Sequence, residues 1–184
     1  MLDEKLTPGL LVALPNLKDP YFQKTVILLC DYNEQSAFGV VINRPSNVRI
    51  KDIFEECQEL PKALDRPILV GGPVQPEVLW AIHSGDFEGE TTTRVNPAIS
   101  MSSVQELISA LGKGTGPALT HMGCGYAGWG PGQLDRELRE GAWWLAPMDT
   151  DLVMKTPYDH RWQTVLRSIG LDPARTSFYE TGEA

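Results

Sequence analysis

The stretch GCGYAGWGPGQL at residues 123–134 places five glycines, a cysteine, two aromatic residues and a proline in twelve positions. It directly follows the apolar run ALTHM at 118–122, whose composition predicts a β-strand. Its first six residues also match G-x-G-x-x-G, the glycine spacing of loops that hold a dinucleotide. Three roles are therefore open: a nucleotide loop, a loop that presents Cys124 as a nucleophile, or a tight turn closed by an aromatic side chain.

The nucleotide role is the least favoured of the three. A dinucleotide loop needs its third glycine at the start of a helix, so that the helix N-terminus meets the pyrophosphate. Here Trp129-Gly130-Pro131-Gly132 stand before the predicted helix, and a bulky indole occupies the place where phosphate has to approach. The P-loop pattern G-x-x-x-x-G-K-[ST] occurs nowhere in the chain.

A catalytic Cys124 is the alternative reading, as a hydrolase or transferase that uses Cys124 with His121 or carboxylates in the same cleft. A reactive thiolate needs a base or a positive field, and His121 stands three residues before the cysteine. A histidine within an apolar strand is more commonly structural, and Met122 breaks the G-x-S-x-G pattern. Three histidines without recognisable ligand spacing predict no metal site, and we expect no cofactor.

The structural role of the glycine stretch has the most support. Glycines relieve backbone strain where a chain turns sharply, and Tyr126 and Trp129 can fold back over the sheet edge. Pro131 lies near the first helical position of the segment GQLDREL at 132–138. We therefore expect Trp129 to pack against the sheet with Tyr126 beside it at the rim of a shallow cleft.

Length and composition predict one domain over residues 1–184, with a polar tail at 173–184 that we expect to be disordered. The net charge of −8 and the absence of a Lys/Arg cluster argue against direct nucleic-acid binding. No apolar stretch approaches the about 20 residues of a membrane span, so we expect no membrane association. Three cysteines without a C-x-x-C pair, and no signal peptide, predict a cytoplasmic protein with reduced thiols.

Strands and helices alternate along the chain. Runs of β-rich sequence predict strands at 10–14, 25–30, 38–43, 67–70, 78–83, 118–122 and 142–146, the second and third forming a hairpin. Apolar periodicity predicts helices at 50–57, 103–112, 132–138 and 156–170, the second opened by a capping box of Ser103 and Glu106. The hairpin breaks strict alternation, which favours an α/β (mixed α+β) three-layer sandwich: a mixed central sheet with helices on both faces.

Several motifs, taken in order, resemble the YqgE/AlgH family of bacterial proteins. They are LVALPNLKDPYFQKTVILLC (11–30), GVVINRP (39–45), LVGGPV (69–74), GYAGW (125–129) with QLDREL (133–138), GAWWLAP (141–147) and KTPYDHRW (155–162). The resemblance spans nearly the whole chain. It implies a compact cytoplasmic α/β protein and supplies no activity, although some members are labelled transcriptional regulators on genetic grounds.

These observations predict a binding or regulatory domain that is not an enzyme and acts on an unknown small molecule or protein. A transcriptional regulator that acts indirectly, without binding DNA, is a further alternative. The candidate binding residues are Asn43, Arg44, Gly71, Gly72, Tyr126, Trp129, Gln133 and Glu137. Arg44 is either a cation for a ligand carboxylate or phosphate, or an internal partner of Asp135 or Glu137.

Overall fold

The computed structural model describes residues 9–173 except 16, 18 and 63. This part of the chain contains ten strands and five α-helices, separated into two compact units. Unit 1 is drawn from Met1–Asn43 and Ala127–Ala184, and unit 2 is Arg44–Tyr126. The strands are β1 Gly9–Ala13, β2 Val26–Tyr32, β3 Ala37–Val41, β4 Pro45–Arg49, β5 Pro67–Val70, β6 Val74–Ser84, β7 Thr93–Asn96, β8 Ile99–Ser102, β9 Thr120–Trp129 and β10 Trp143–Ala146. The helices are α1 Ile50–Ile53, α2 Val104–Gly112, α3 Gln133–Arg139, α4 Thr150–Met154 and α5 Tyr158–Ser168.

Unit 1 is built on an antiparallel sheet in the order β10, β1, β2, β3 and the last residues of β9. The strands are rich in Val, Leu and Ile, and the hairpin predicted for β2 and β3 is confirmed. One face packs around the buried residues Leu11, Ile27, Trp129, Leu134 and Trp143. This face therefore carries the tryptophan of the glycine stretch in its core.

Helix α5 packs on β1 and β2 of the same unit. Its Trp162 indole donates a hydrogen bond to the Ala13 carbonyl at 2.8 Å. The neighbouring Arg161 is fully buried and donates to the carbonyls of Thr156 and Ile42 at 2.9 and 2.5 Å. The motif KTPYDHRW thus fixes a helix to the sheet through donors that satisfy backbone carbonyls.

Unit 2 is built around β6, which pairs antiparallel with β8 and with β9. Strand β8 continues to β7, while β9 pairs in parallel with β5, and β5 pairs with β4. Helix α2 covers a core that includes Ile50, Cys57, Ile68, Leu107 and Met122. Cys57 is completely buried, as expected for a small core residue.

The glycine stretch forms a strand, so the predicted turn or loop at 123–129 is wrong. Strand β9 continues from the ALTHM run through Trp129, and Gly123 and Gly125 lie within it. The Trp80 indole lies over Gly123 and beside Gly71, and it donates to the Gly125 carbonyl at 2.8 Å. A Cβ atom on Gly123 would overlap the indole ring. The glycines therefore make room for an aromatic side chain and for a neighbouring chain segment, which a sequence pattern alone does not distinguish from a turn.

Three other predictions need correction. The helix expected over 50–57 ends at Ile53 because Phe54 is extended; a 3-10 turn follows, and Ile53 is exposed. Strand β4 (Pro45–Arg49) lies where the sequence patterns predicted no strand. Ser103 does cap α2 through the Glu106 amide, but the Glu106 carboxylate binds the Glu90 and Thr91 amides instead of closing the capping box.

The mixture of helices and strands confirms the α/β class. The sheets are mainly antiparallel, and the β5–β9 pair supplies the parallel component. Helices on both faces of one central sheet, and one domain over 1–184, stay predictions. Residues 174–184 of the predicted disordered tail lie outside the described residues.

We predict that Gly123→Ala destabilises the protein by about 1–3 kcal/mol. The added methyl group overlaps the Trp80 ring, and the paired strands β6 and β9 that carry these two residues cannot move apart freely. Urea denaturation measures the change. Gly130→Ala is the matched control, since the nearest atom to its added Cβ lies 4.0 Å away. Equal stability of the two variants would show that Trp80 does not need the space at Gly123.

Candidate binding site at the β10 edge

A single carboxylate connects side chains of the glycine stretch, of helix α3 and of strand β10. Glu137 of α3 accepts hydrogen bonds from the Trp129 and Trp143 indoles at 2.9 and 2.8 Å, both at Oε2. Its Oε1 accepts from the Gln133 amide at 2.8 Å, and Gln133 in turn accepts from the Gly130 N–H at 3.1 Å. Trp129, Gln133 and Glu137, three of the predicted site residues, therefore form an internal cluster.

The rings that bind Glu137 are buried in the core of unit 1. Trp129 and Trp143 meet edge to face at 6.1 Å between ring centroids, and Phe22 packs against Trp143 at 5.4 Å. Their exposed fractions are 6% and 3%. The expectation that Trp129 packs against the sheet is confirmed, and the tryptophan belongs to the scaffold because its only polar atom is bound internally.

The same cluster fixes the connection from α3 to β10. The Ala142 N–H donates to the Glu137 carbonyl at 2.9 Å, and Gly141 adopts a left-handed backbone with φ of +73°. The Tyr32 hydroxyl holds the other side of α3 by donating to Asp135 at 2.8 Å. The direction of β10 is therefore set by side-chain bonds as well as by its pairing with β1.

An apolar cavity of about 310 Å³ lies along β10. We call it the edge hollow, and it is lined by Leu14, Leu138, Gly141, Trp143, Trp144 and Leu145. Successive side chains of a strand point to opposite faces, so a cavity lined by three consecutive residues of β10 follows the edge of the sheet. Trp144 is 48% exposed there, although Trp143 beside it is buried.

The β10 edge also carries no charge. Residues 141–148 read GAWWLAPM, and among the described residues β10 pairs with β1 alone. The outer strand of unit 2, β7, instead carries an Arg94–Glu88 ion pair at 2.7 Å. Charged side chains on an outer strand discourage pairing with other chains. Strand β10 lacks that protection.

The other predicted site residues each make contacts within the protein, and their role in binding stays a prediction. The Asn43 side chain accepts from the Val26 N–H and donates to the Lys24 carbonyl, both at 2.8 Å. The Arg44 carbonyl accepts from Val70, which joins β4 to β5. Gly71 donates to the Cys124 carbonyl at 2.8 Å, the Gly72 carbonyl packs against Gly125, and Tyr126 pairs with Val74 of β6.

The alternative pair of Cys124 and His121 does not form. Regular pairing of β9 with β6 through these positions puts the two side chains on opposite faces of the strand. His121 is fully buried, and its Nε2 lies 3.2 Å from the Arg66 guanidinium. At another thiol, burial together with the Asp31 charge raises the pKa of Cys30 to about 12, which favours the protonated form.

A serine–histidine contact in unit 2 has no signature in the sequence. The His83 Nε2 atom lies 2.9 Å from the Ser102 hydroxyl, and its Nδ1 lies 2.8 Å from the Ser84 carbonyl. Because a carbonyl only accepts, Nδ1 carries the proton and Ser102 donates to Nε2. Thr92 lies 2.8 Å from Ser102 and donates to it, since the serine proton is already committed to the histidine. Both His83 and Ser102 are buried, and the chain of bonds holds β6, β8 and the residues before β7 together.

The described part of the chain forms neither a metal centre nor a membrane-spanning helix. Among the described residues, no group of three or more His, Cys, Asp or Glu side chains is placed to hold a metal ion. No helix in this part of the chain is both long and apolar enough to cross a bilayer.

The geometry first defines a class: a mixed α/β protein with an internally bonded scaffold and an open apolar strand edge. The chain belongs to the AlgH-like family (DUF179), whose sequence profile it matches over residues 10–174. It is 35% identical over 170 residues to a UPF0301 protein of Nitrosococcus oceani, with 91% of each chain covered. A UPF0301 protein of Anaeromyxobacter dehalogenans strain 2CP-1 is 38% identical over 178 residues, covering 92% of this chain and 90% of the relative. The resemblance given by the motifs is confirmed.

Two solved structures share the fold. The solution structure of the AlgH protein from Pseudomonas aeruginosa has a TM-score of 0.75 and 33% identity, covering 97% of this chain and 96% of that one. A crystal structure of a Corynebacterium diphtheriae protein has a TM-score of 0.74 at 24% identity, covering 95% and 92%. The second likeness concerns the fold alone.

We predict that Glu137→Gln lowers the free energy of unfolding by about 1–3 kcal/mol. The amide nitrogen that replaces one carboxylate oxygen faces a donor, either an indole or the Gln133 amide, and leaves it without an acceptor. Urea denaturation tests the prediction, with exposed Glu140→Gln as the matched control that we expect to be neutral. A neutral Glu137→Gln would refute the role given to the carboxylate.

The stability of the protein should fall as the pH drops below about 6.5, the ordinary pKa of histidine. Burial lowers the pKa of His83 below its ordinary value, against the opposing effects of the Ser84 carbonyl and of Asp86 and Glu106. Below about pH 6.5 the unfolded chain therefore binds a proton at His83 that the folded chain excludes. The free energy of unfolding then falls by up to about 1.4 kcal/mol for each pH unit. The stabilisation is fully present above pH 6.5 and is lost as the pH falls through the folded pKa.

The measurement is urea denaturation of wild type and His83→Gln at pH 7.5, 6.5, 5.5 and 5.0. The variant should show a flatter profile, whereas His160→Gln, at an exposed histidine, should keep the slope of the wild type. Hydrogen bonds lower the pKa values of Asp65, Asp86 and Glu106, although burial opposes them. The stability that these acids contribute is therefore present above about pH 4.3 and is lost as the pH falls below it, mainly outside the range of the His83 test. An unchanged slope in His83→Gln would contradict the assignment.

Proposed function

We propose that this protein is a non-catalytic binding domain that recognises a segment of another protein at the β10 edge. The observation that carries the proposal is the exposed Trp144 beside the edge hollow, on a stretch without charge. Exposed tryptophan next to an apolar depression is the composition of binding hot spots. The two neighbouring tryptophans, Trp129 and Trp143, are instead held inside the scaffold by Glu137.

The lining of the edge hollow favours a protein segment over a small polar molecule. Small-molecule sites combine an apolar wall with a few placed polar side chains that orient the ligand. The six lining residues supply only two indole N–H groups, and that of Trp143 is already bound to Glu137 at 2.8 Å. Apolar contact and backbone bonds are what this surface offers.

A regulatory role is compatible with this proposal through protein contact. The net charge of −8 disfavours direct binding to DNA, because phosphate contacts need clustered Lys and Arg. Three free cysteines, Cys30, Cys57 and Cys124, favour a reducing compartment, and we place the protein in the cytoplasm on that basis. The partner is then another cytoplasmic protein.

We predict that dodecapeptides selected from a random displayed library bind the protein and lose at least about tenfold in affinity for Trp144→Ala. Truncating the indole removes the largest exposed apolar surface at the edge but leaves the buried core intact. Fluorescence anisotropy with labelled peptides measures Kd. Val78→Ala, at a residue of unit 2 that is 44% exposed, is the matched control and should bind as the wild type does.

The proposal would be wrong if selected peptides bound Trp144→Ala and wild type equally well. It would also be wrong if no peptide were enriched over a selection on an unrelated protein. Circular dichroism and urea denaturation confirm that both variants are folded, so that a loss of affinity reports the surface.

A further inference from the structure

The hydrogen-bonding groups of β10 alternate between its two sides. The Leu14 N–H donates to the Ala142 carbonyl at 3.3 Å, so these two residues form a hydrogen-bonded pair of the antiparallel ladder. The register pairs Val12 with Trp144 and Leu10 with Ala146, two and four residues further along. Trp144 and Ala146 therefore direct their backbone groups to β1, as the Ala142 carbonyl does.

Strand β1 gives the same alternation independently. The Ala13 N–H donates to the Thr25 carbonyl at 3.0 Å, on the β2 side. The odd-numbered residues of β1 therefore face β2, and Leu10, Val12 and Leu14 face β10. It follows that the N–H and C=O groups of Trp143 and Leu145 point to the side of β10 where the described residues supply no strand.

We propose that the partner segment adds to β10 as an extended strand, bonded to the backbone of Trp143 and Leu145. An extended peptide satisfies this row because its own N–H and C=O groups recur every second residue. A partner segment with apolar, uncharged side chains fits this edge, because residues 141–148 contain no charged side chain and the edge hollow is apolar. A large apolar side chain of the added strand fills the edge hollow against Trp144.

This inference deepens the proposed function and rests on it, because a strand can add only where a segment binds. The probes are the same selected dodecapeptides, resynthesised with a single N-methyl group at each position in turn. N-methylation removes one backbone donor without changing the side chains. We expect a period-two pattern: at least tenfold weaker binding when the methylated N–H faces β10, and less than threefold at the alternate positions.

A second measurement reads the edge from the protein side. In amide hydrogen exchange followed by NMR on the full chain, the Leu145 and Trp143 amides should exchange faster than those of Trp144 and Ala146 in the free protein. Saturation with the tightest selected peptide should slow exchange at Leu145 and Trp143 at least tenfold. Trp144 and Ala146, already bonded to β1, should change little.

The outcomes separate the two proposals. Peptides whose affinity depends on Trp144 but whose N-methyl scan is flat would leave the proposed function standing and overturn strand addition. If the Leu145 amide of the free protein is protected from exchange, and this protection rises with protein concentration, the occupant is a second copy of this chain. That result would overturn the addition of a partner strand. Protection in the free protein that is independent of concentration would show that the chain covers its own edge, and would equally overturn it.

Discussion

The Glu137 carboxylate, bound between two tryptophan indoles, is the interaction on which the rest of unit 1 depends. One oxygen accepts from Trp129 at the end of β9 and from Trp143 at the start of β10, so a helix residue joins two strands. The other oxygen holds Gln133, which in turn binds the Gly130 backbone. Taking a carboxylate out of water is costly unless its acceptor sites are occupied, and three donors occupy those of the half-buried Glu137. This arrangement ties a half-buried polar group to two tryptophans of the core.

The fixed inner tryptophan explains the exposed outer one. Because Trp143 is directed into the core, the alternation of the strand directs Trp144 to the other face, at the edge of the sheet. The motifs that carry the family resemblance build both the support and the exposed surface, since Trp143 and Trp144 both lie in GAWWLAP (141–147). The chemistry of this support is hydrogen bonding and packing, in agreement with a protein whose candidate surface acts by contact.

Much of the fold could be predicted from the sequence because composition and apolar periodicity indicate most of its strands and helices. Strands β1, β2, β3, β5 and β10, and helices α2, α3 and α5, fall where apolar runs and stripes place them. The turn predicted for the glycine stretch was wrong because glycine is typical both of turns and of strands that need space for a neighbouring side chain, here Trp80. The internal partners of candidate residues such as Asn43 and Gln133 could not be predicted, because a polar side chain shows its hydrogen-bond partner only in three dimensions. Trp144 was overlooked because an apolar strand residue looks the same whether buried or exposed, and His83 pairs with Ser102 only through the β6–β8 register.

The most direct test of the account is a double-mutant cycle between Glu137 and Trp129. Free energies of unfolding from urea denaturation are measured for wild type, Glu137→Gln, Trp129→Phe and the double variant, the phenylalanine keeping an aromatic ring while removing the indole donor. The account predicts a coupling energy of at least about 1 kcal/mol, because the two side chains share one hydrogen bond within a partly buried network. Strictly additive losses, with a coupling energy near zero, would contradict the claim that this carboxylate–indole contact organises the scaffold.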